Sequence, residues 1–376
     1  MKKDWVYKKL GEVANVIHGK NQKEVLSTNG KYPIYGSGGT IMGYATEYLC
    51  EAGTTILGRK GTINNPQFIN HKFWNVDTAF GISARKDIDS KFLYFFIKKQ
   101  DWSKMNTGTT LPSLTQAIVK NVIIPVPPLS EQKEIVEYID SSFAKIDKLK
   151  ENAAKNLEEA KALFLSALKD ALEPKEGWEE KTLKELSEIQ SGYAFKSSDF
   201  KSSGKYQVIR MGNVRPGVIR YNESPVFINE ELDEKAKEKA LLQIGDMIIT
   251  QTGSRNKRDY GFTVLIEKDN LLLNQRIARI RVKDKLLNKY LLYYSWTDYF
   301  RDQYFANEGG TVGQGNVGMD AIKDNIIPLP SLPEQQSIVS FLDSLSEKVN
   351  TLQQNYSRIC DECDALKQAI LRQVFE

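Results

Sequence analysis

The stretch NVIIPVPPLSEQKEIVEYID (Asn121–Asp140) returns in the second half of the chain as NIIPLPSLPEQQSIVSFLD (Asn325–Asp343). Both versions place a short apolar run and two prolines before a Leu-x-Glu-Gln sequence. A second repeat lies upstream, where WVYKKLGEVANVIHG, beginning at Trp5, returns as WEEKTLKELSEIQSG, beginning at Trp178. The copies agree at their ends, whereas their middles differ and the second middle is longer. This pattern predicts two similar globular segments that share a frame.

Each segment has the same predicted order of elements: β-like runs, an aromatic helix, a short strand and a long helix. In segment one the runs are KYPIYG (31–36), TTILGRKG (54–61) and FWNVDTAFGI (73–82), and the helix is KFLYFFIKKQ (91–100). In segment two they are YQVIRM (206–211), GDMIITQTG (245–253) and LLLNQRIARIRV (271–282), followed by the helix NKYLLYYSWTDYF (288–300). The order predicts an α+β fold with two similar globular domains in a pseudo-twofold repeat. We assign globular domains to 1–126 and 175–329, and spacer helices to 127–174 and 330–376.

The two long helices carry the clearest periodic signal. Ser130 is a good N-cap for a helix that begins at Glu131, and neither glycine nor proline follows before Pro174. Apolar residues recur in heptads along both helices, which favours packing of helix on helix over packing of each helix on its own segment. We expect a register that puts Ile146 opposite Ile359. The predicted interface consists of Ile135, Ile139, Ile146, Leu149, Leu163, Ile338, Leu342, Val349, Leu352, Tyr356, Ile359, Leu366 and Ile370.

The composition is that of an ordinary globular protein. Of 376 residues, 41% are hydrophobic and 27% are charged. No apolar run approaches the length of a membrane span, so no membrane partner is expected. Three cysteines provide no disulfide framework, which fits a reducing cytoplasm. A net charge of +4 does not by itself identify a nucleic-acid partner, and matters only where basic residues cluster.

Several strings imitate enzyme motifs without the context that the chemistry requires. GQGNVG (313–318) satisfies G-x-G-x-x-G, yet no dinucleotide-binding helix has room to follow it. GTTILGRK (53–60) lacks the hydroxyl of a phosphate loop, and NPQF (65–68) lacks the second proline of the adenine methyltransferase motif. Cys360 and Cys363 have no second cysteine pair, and the chain contains only two histidines. We therefore predict no catalytic residue and no metal site.

Basic and amide side chains cluster in loops of both segments. In segment two, TQTGSRNKRDYG places Arg255, Lys257 and Arg258 in a glycine-flanked loop. Arg and Asn can read guanine and adenine edges, and Lys and Ser contact phosphates, although a solvated loop is the alternative for any single residue. The candidate DNA-binding residues are Ser37, Gly38, Arg59, Lys60 and Asn64 in segment one, and Arg210, Asn213, Arg215, Thr252, Ser254, Arg255, Lys257 and Arg258 in segment two.

The repeated P-x-P-x-L-x-E-Q frame and the repeated Trp-x(4)-Leu opening together resemble the specificity subunit of type I restriction–modification systems. The resemblance covers essentially the whole chain. It implies two target-recognition domains, each reading one half of a split double-stranded DNA sequence. It also implies that the two long helices form an antiparallel two-helix coiled coil that holds the domains apart. It also implies two copies of a modification subunit, which methylates adenine, and two of a restriction subunit, which cleaves DNA.

The resemblance assigns the enzymatic steps to those partners. They would use S-adenosylmethionine, ATP and Mg, whereas this chain is expected to hold no cofactor. The leading hypothesis is therefore a non-catalytic, cytoplasmic subunit that reads DNA sequence and acts as the scaffold for its partners. Two alternatives stay open: a coiled-coil assembly protein whose domains bind other proteins, and a stand-alone DNA methyltransferase.

Overall fold

A computed structural model describes residues 5–229, 233–306 and 308–376. The chain forms two compact units. The first unit contains segment one up to Lys155 and the C-terminal stretch from Gln354, and the second runs from Asn156 to Gln353. Within the described residues, no helix is long and apolar enough to cross a membrane.

The first segment runs from β1 to α4. Its elements are β1 (Val6–Lys9), α1 (Leu10–Val13), β2 (Ala14–His18), β3 (Tyr32–Tyr35), β4 (Ile41–Ala45), β5 (Thr54–Gly58), β6 (Gln67–Ile69), β7 (Trp74–Asn75), β8 (Ala79–Ala84), α2 (Ser90–Lys99), α3 (Gln116–Asn121), β9 (Ile123–Val126) and α4 (Leu129–Leu172). The main sheet has the strand order β2-β8-β5-β6, and a smaller sheet has the order β4-β3-β7. β1 pairs antiparallel with β9, so the strand that opens the segment lies beside the strand that closes it.

The second segment repeats this arrangement with additions. Its elements are β10 (Glu179–Thr182), α5 (Leu183–Leu186), β11 (Ser187–Ser191), β12 (Tyr206–Ile209), β13 (Val214–Arg215), β14 (Val218–Ile219), β15 (Phe227–Ile228), α6 (Glu234–Ala240), β16 (Met247–Thr250), β17 (Thr252–Ser254), β18 (Thr263–Leu265), β19 (Leu271–Leu273), β20 (Ile277–Val282), α7 (Asn288–Tyr294), α8 (Asp298–Ala306), β21 (Gly309–Thr311), β22 (Gln314–Asn316), α9 (Met319–Lys323), β23 (Ile326–Leu329) and α10 (Leu332–Phe375). The sheets β11-β20-β16-β18, β15-β12-β19 and β10-β23 match those of segment one. Most of the extra length of segment two lies between β12 and β16.

The glutamine of the repeated frame is buried and forms the same three hydrogen bonds in each copy. Gln132 donates through Nε2 to the carbonyl oxygens of Asp87 (3.1 Å) and Pro127 (2.8 Å), and its Oε1 accepts from the backbone of Asp89 (2.8 Å). Gln335 does the same with Lys285, Pro330 and Leu287 at 2.9–3.0 Å. In both copies the side chain joins the start of the long helix to the loop before the aromatic helix. Because all its polar atoms are paired, burial carries no unmet hydrogen-bond cost.

The tryptophan and glutamate of the frame contact each other across each segment. The indole Nε1 of Trp5 donates to the carboxylate of Glu131 at 3.0 Å, and that of Trp178 donates to Glu334 at 3.2 Å. Together with the β1–β9 and β10–β23 pairs, these contacts bring the two ends of each segment together. The two repeated stretches of the sequence, the tryptophan-containing opening and the proline-containing end, thus contact each other within each segment.

The repeated glycine ends the first strand of the main sheet, where the backbone comes close to a neighbouring loop. A Cβ on Gly19 would collide with the carbonyl oxygen of Val76, and a Cβ on Gly192 would collide with that of Asn274. Neither clash could be relieved by turning a side chain, because both partners are backbone atoms. Glycine is therefore required at this position in both copies.

Three sequence predictions of element boundaries need correction. The runs 73–82 and 271–282 are each broken, with Val76–Thr78 separating β7 from β8 and Asn274–Arg276 separating β19 from β20. The helix predicted over 288–300 is divided into α7 and α8 by a turn around Ser295, whose backbone and hydroxyl bond back to α7. The first long helix begins at Leu129 rather than Glu131, because the carbonyl of Pro128 already accepts from Gln132, so Ser130 lies inside the first turn.

The long helices are antiparallel within the first unit. Asp147 pairs with Lys367 at 2.5 Å and Lys150 with Asp364 at 3.0 Å, so one residue number rises as the other falls. In the second unit, α4 and α10 contribute to one apolar core through Leu168, Leu172, Ile338, Val339 and Leu342. The packing of helix on helix that the heptads favoured is therefore present in both units.

Of the thirteen residues predicted for the coiled-coil interface, nine are buried or half-buried and four are exposed. Ile139, Ile146, Leu342, Val349 and Ile370 are buried or half-buried, as are Ile135, Ile338, Tyr356 and Ile359. Leu149, Leu163, Leu352 and Leu366 are instead exposed, with exposed fractions of 58%, 65%, 38% and 49%. On α4 the residues one place further along, Phe143, Lys150, Leu157 and Phe164, face inward instead.

The error has a simple cause. The heptad spacing fits Leu149 and Leu163 as well as it fits the residues one place further along, Lys150 and Phe164. The two leucines made the first choice more apolar, so the sequence favoured it. The structure uses Lys150, whose aliphatic stem is covered while its ammonium group pairs with Asp364. The register also differs, because the Sγ of Cys363 lies 4.0 Å from the carbonyl oxygen of Ile146, about one turn beyond the predicted Ile359.

Candidate nucleic-acid interface

Three loops of segment one meet at the end of its central strand β5. The turn after β3 contains Ser37 and Gly38, and a Cβ on Gly38 would lie 3.6 Å from the hydroxyl of Thr62 in the loop after β5. The backbone N–H of Arg59 donates to the carbonyl of Thr78, in the loop between β7 and β8, at 2.8 Å. Its guanidinium Nε donates to the carbonyl of Asp77, also at 2.8 Å. The three loops therefore form one surface.

A fourth loop, 106–113, crosses this surface. The N–H of Gly61 donates to the carbonyl of Pro112 at 2.9 Å, and that of Leu114 donates to the carbonyl of Arg59 at 2.8 Å. Asn64 connects the surface to the end of α2, since its amide donates to Asp101 and its oxygen accepts from the backbone of Trp102 at 2.6 Å. Lys60 points outward and is exposed.

The second segment brings together the corresponding four loops. The hydroxyl of Thr252, after β16, donates to the Sδ of Met211, after β12, at 3.0 Å. The N–H of Gln251 donates to the carbonyl of Arg276, between β19 and β20, at 2.9 Å, as Arg59 does to Thr78. The N–H of Val317 donates to the carbonyl of Gln251 at 2.9 Å, as Leu114 does to Arg59. The backbone is thus repeated while the side chains are replaced.

In segment two the fourth loop is a β-hairpin, β21–β22, which pairs with β17. Val312 lies at its tip and is fully exposed. The guanidinium of Arg255 donates to the carbonyl of Gly309 at 2.7 Å and lies 3.6 Å from the carboxylate of Glu308. Arg255 therefore ties the hairpin to the loop after β17.

Tyr260 reinforces the base of this hairpin. Its hydroxyl donates to Glu308, and burial, followed by this hydrogen bond, raises the pKa of Tyr260 far above its usual value. The phenol therefore stays protonated and remains a donor. Nearby, the guanidinium of Arg258 stacks on the ring of Phe305 with 4.8 Å between its carbon and the ring centroid.

The structure divides the candidate DNA-binding residues into two groups. Asn213 and Thr252 are buried, with exposed fractions of 4% and 5%, and their polar groups form hydrogen bonds within the protein. The side-chain amide of Asn213 donates to the carbonyls of Arg220 and Glu223, and its oxygen accepts from the backbone N–H of Arg210. The sequence did not indicate this inward orientation, which arises because polar residues in a glycine-rich loop can turn to satisfy its backbone.

The remaining candidates lie at the loop surface with different degrees of freedom. Lys60, Lys257 and Arg258 are exposed, whereas Ser37, Gly38 and Ser254 are half-buried. Arg215 donates to the carbonyls of Gly212 and Val214 in its own turn, and Arg210 donates to that of Ser224 at 2.5 Å. Among the described residues, no group of three His, Cys, Asp or Glu side chains could hold a metal ion.

Sequence reasoning missed the loop between β19 and β20. Asn274, Gln275 and Arg276 were assigned to one continuous strand, yet they form the third loop of the surface. Arg276 has a φ of +69°, which is uncommon for a residue with a side chain. A usable signal was present, since both copies have polar residues within an apolar run at this place, Asp77 and Thr78 in one and Asn274, Gln275 and Arg276 in the other.

The chain is similar in sequence to specificity subunits of type I restriction enzymes. It matches the type I restriction modification DNA specificity domain over residues 2–159 and 175–359. A putative type I restriction enzyme specificity subunit of Haemophilus influenzae is 25% identical, with 92% of this chain and 89% of the relative covered. The MjaVIII specificity subunit of Methanocaldococcus jannaschii is also 25% identical, with 92% and 87% covered.

Solved structures agree on the fold. A chain from a type I restriction–modification assembly superposes with a TM-score of 0.75 at 19% identity, covering 100% of this chain and 98% of its own length. The HsdS subunit from Thermoanaerobacter tengcongensis superposes with a TM-score of 0.57 at 20% identity, covering 100% and 97%. These likenesses confirm the predicted fold class of two similar α+β domains with long helices.

The doubled frame and the doubled set of loops define a protein with two recognition domains. The chain belongs to the family of type I restriction–modification specificity subunits, as the resemblance implied. Segments one and two are accordingly its first and second DNA-recognition domains.

Proposed function

We propose that this specificity subunit reads a bipartite double-stranded DNA target, with one half-site for each recognition domain and a non-specific spacer between them. The observation that carries the proposal is the repetition of four loops on one backbone pattern with different side chains. A shared backbone presents the loops to DNA in the same way, and different side chains select different bases. The two half-sites should therefore differ in sequence.

Exchange of one domain tests this proposal. Residues 178–324 would be replaced by the corresponding segment of another specificity subunit, and the methylated sites of cells carrying either version would be compared. We expect one half-site to change while the other half-site is retained. The matched exchange of residues 5–120 should change only the other half. A change of both half-sites after either exchange would contradict the assignment of one domain to one half-site.

We also propose that the long helices bind two modification subunits, one through each copy of the repeat. The supporting observation is that the exposed apolar side chains of the helices recur at equivalent positions. The pairs are Leu129 with Leu332, Tyr138 with Phe341, Leu149 with Leu352, and Leu163 with Leu366. Exposed apolar patches often mark protein-binding surfaces. Because both helices carry such side chains at equivalent positions, each helix could bind one copy of the same partner.

Two restriction subunits complete the proposed assembly, and the enzymatic steps belong to the partners. The modification subunits would use S-adenosylmethionine, and the restriction subunits ATP and Mg. This chain would supply binding and geometry without a catalytic group of its own.

Native mass spectrometry of the co-purified complex tests the number of modification subunits. We expect Leu149→Asp or Leu352→Asp to leave one modification subunit bound, and the double variant to leave none. Asn152→Asp places the same charge on a nearby exposed position and serves as the control. Two subunits retained on the double variant would contradict the proposed docking.

A further inference from the structure

A cleft of about 520 Å³ opens beside the loops of the second recognition domain. One wall comes from the turn after β12, another from the loop between β19 and β20, and a third from the extra residues of this domain. The lining includes Arg210, Glu223, Asn274 and Arg276. The corresponding first residue after β3 in the first domain is Gly36, so the basic wall belongs to the second domain.

The charge of this cleft is positive. Its carboxylate, Glu223, lies 3.3 Å from the guanidinium of Arg220 and 3.8 Å from that of Arg215, so its charge is offset from outside. Arg210 and Arg276 supply two guanidinium groups to the lining. An electronegative group is therefore the favoured occupant.

Arg276 occupies a backbone position that would suit glycine better. Its φ of +69° lies in the left-handed region, where a Cβ is strained and glycine is not. The backbone itself is the shared one, because the carbonyl of Arg276 accepts from Gln251 as that of Thr78 accepts from Arg59. The arginine side chain is exposed and forms no hydrogen bond or ion pair with residues 5–229, 233–306 or 308–376. The backbone strain is therefore not explained by any hydrogen bond or ion pair of the Arg276 side chain within the described protein, which is typical of a residue with a functional role.

Two other lining residues carry unused hydrogen-bonding atoms. The Nε of Arg210 and the Oδ1 of Asn274 are both buried, and neither has a hydrogen-bond partner among the residues that the structure describes. Buried polar atoms are normally paired, so an external donor and acceptor would complete both. A nucleobase edge offers both kinds of atom, whereas a phosphate offers only acceptors.

Two arginines that the sequence analysis proposed as DNA-binding, Arg255 and Arg258, already have contacts within the protein. Arg255 is held by Gly309 and Glu308 at the base of the hairpin, and Arg258 stacks on Phe305. Arg255 is therefore a positioning residue for the hairpin. Arg276 has no such contact within the described protein, so all of its guanidinium donors are left for DNA.

We infer that Arg276 reads a guanine in the half-site of the second recognition domain, at the mouth of the cleft that it shares with Arg210 and Asn274. The inference rests on the proposed function and specifies one position of the target. Guanidinium has five donors in a fixed plane and matches the O6 and N7 acceptors of guanine, the commonest specific contact of arginine in the major groove.

Arg276→Gly separates reading from folding. Glycine relieves the left-handed backbone, so the thermal midpoint should be unchanged or higher. The full chain, co-purified with its modification subunits, would select duplexes from a randomised DNA pool. We expect the variant to lose roughly 10- to 100-fold discrimination for guanine at one position of one half-site, and to keep every other preference. Lys133→Ala, which removes an exposed charge on α4 away from the loops, is the control and should leave both half-sites unchanged.

Three results would overturn the inference. One is an unchanged base profile of Arg276→Gly, and another is a second half-site that contains no guanine. The third is uniform weakening on all duplexes with a salt slope shallower by about 1, which would make Arg276 a phosphate contact. Failure of the proposed function looks different, because the unaltered complex would then select no bipartite sequence.

Discussion

The first and second recognition domains make the same contacts where each segment begins and ends, and different contacts in their loops. Gln132 and Gln335 have equivalent partners at nearly equal distances. Thr78 and Arg276, in contrast, are alike only in that the backbone carbonyl of each accepts an equivalent hydrogen bond within its own domain. The frame residues act through buried contacts, and the loop residues act at the surface. Sequence identity between the copies therefore marks shared packing, and divergence marks the loops for which we propose a role in recognition.

The glycine of the frame should give the largest effect, and an equal one in both domains. Gly19→Ala and Gly192→Ala each force a Cβ into a backbone carbonyl, so we expect a loss of about 3 kcal/mol or more in unfolding free energy for the affected domain. Denaturant unfolding of each variant would measure it. Gly318→Ala has open space around the added carbon and should be neutral. A large difference between the two frame variants would break the equivalence of the domains.

The buried glutamines should come next. Gln132→Ala and Gln335→Ala each leave one backbone N–H and two carbonyls without their partner, at an expected cost of about 2–3 kcal/mol. Thermal unfolding should show matched decreases for the two variants. Gln353→Ala, at an exposed position of α10, provides the control and should leave the midpoint in place. Loss in only one domain would mean that the repeated motif is structural in one copy alone.

The exposed loop lysines should have the smallest effect, and one on DNA rather than on stability. Lys60→Ala and Lys257→Ala are each expected to weaken binding of all duplexes by about threefold to tenfold, because a phosphate contact is lost without a base contact. Titrations at several salt concentrations should show a slope shallower by about 1. Lys133→Ala removes an exposed charge from α4 and should change neither quantity. A changed base preference would place either lysine among the readers.

The order of elements could be predicted because its signals are local. The aromatic helix, the apolar runs and the proline-bounded start of each long helix depend on residues that are neighbours in sequence. The role of Gln132 could not be predicted, since its partners Asp87 and Asp89 come close only when the segment closes. The heptad predicted the pairing of the two helices, but it could not choose between Leu149 and Lys150 as the inward residue.

The candidate site was predicted at the level of loops and not of side chains. The loop after β16 was located by its glycines and basic residues, yet Thr252 faces inward and Arg255 braces the hairpin. Arg276 was missed because a strand-like run contains a turn, in which its φ is +69° and its side chain is exposed. Direction of a side chain in a loop depends on tertiary contacts that composition does not encode.

The pairing of β1 with β9, and of β10 with β23, has a genetic consequence. Because each domain begins and ends at adjacent strands, a crossover between related genes within those strands would exchange everything that lies between them as one piece. The incoming piece need not match the old one in length, and the extra residues between β12 and β16 already illustrate such freedom. Recombination at two short stretches of coding sequence could thus give a host a new target without a single new contact in the frame.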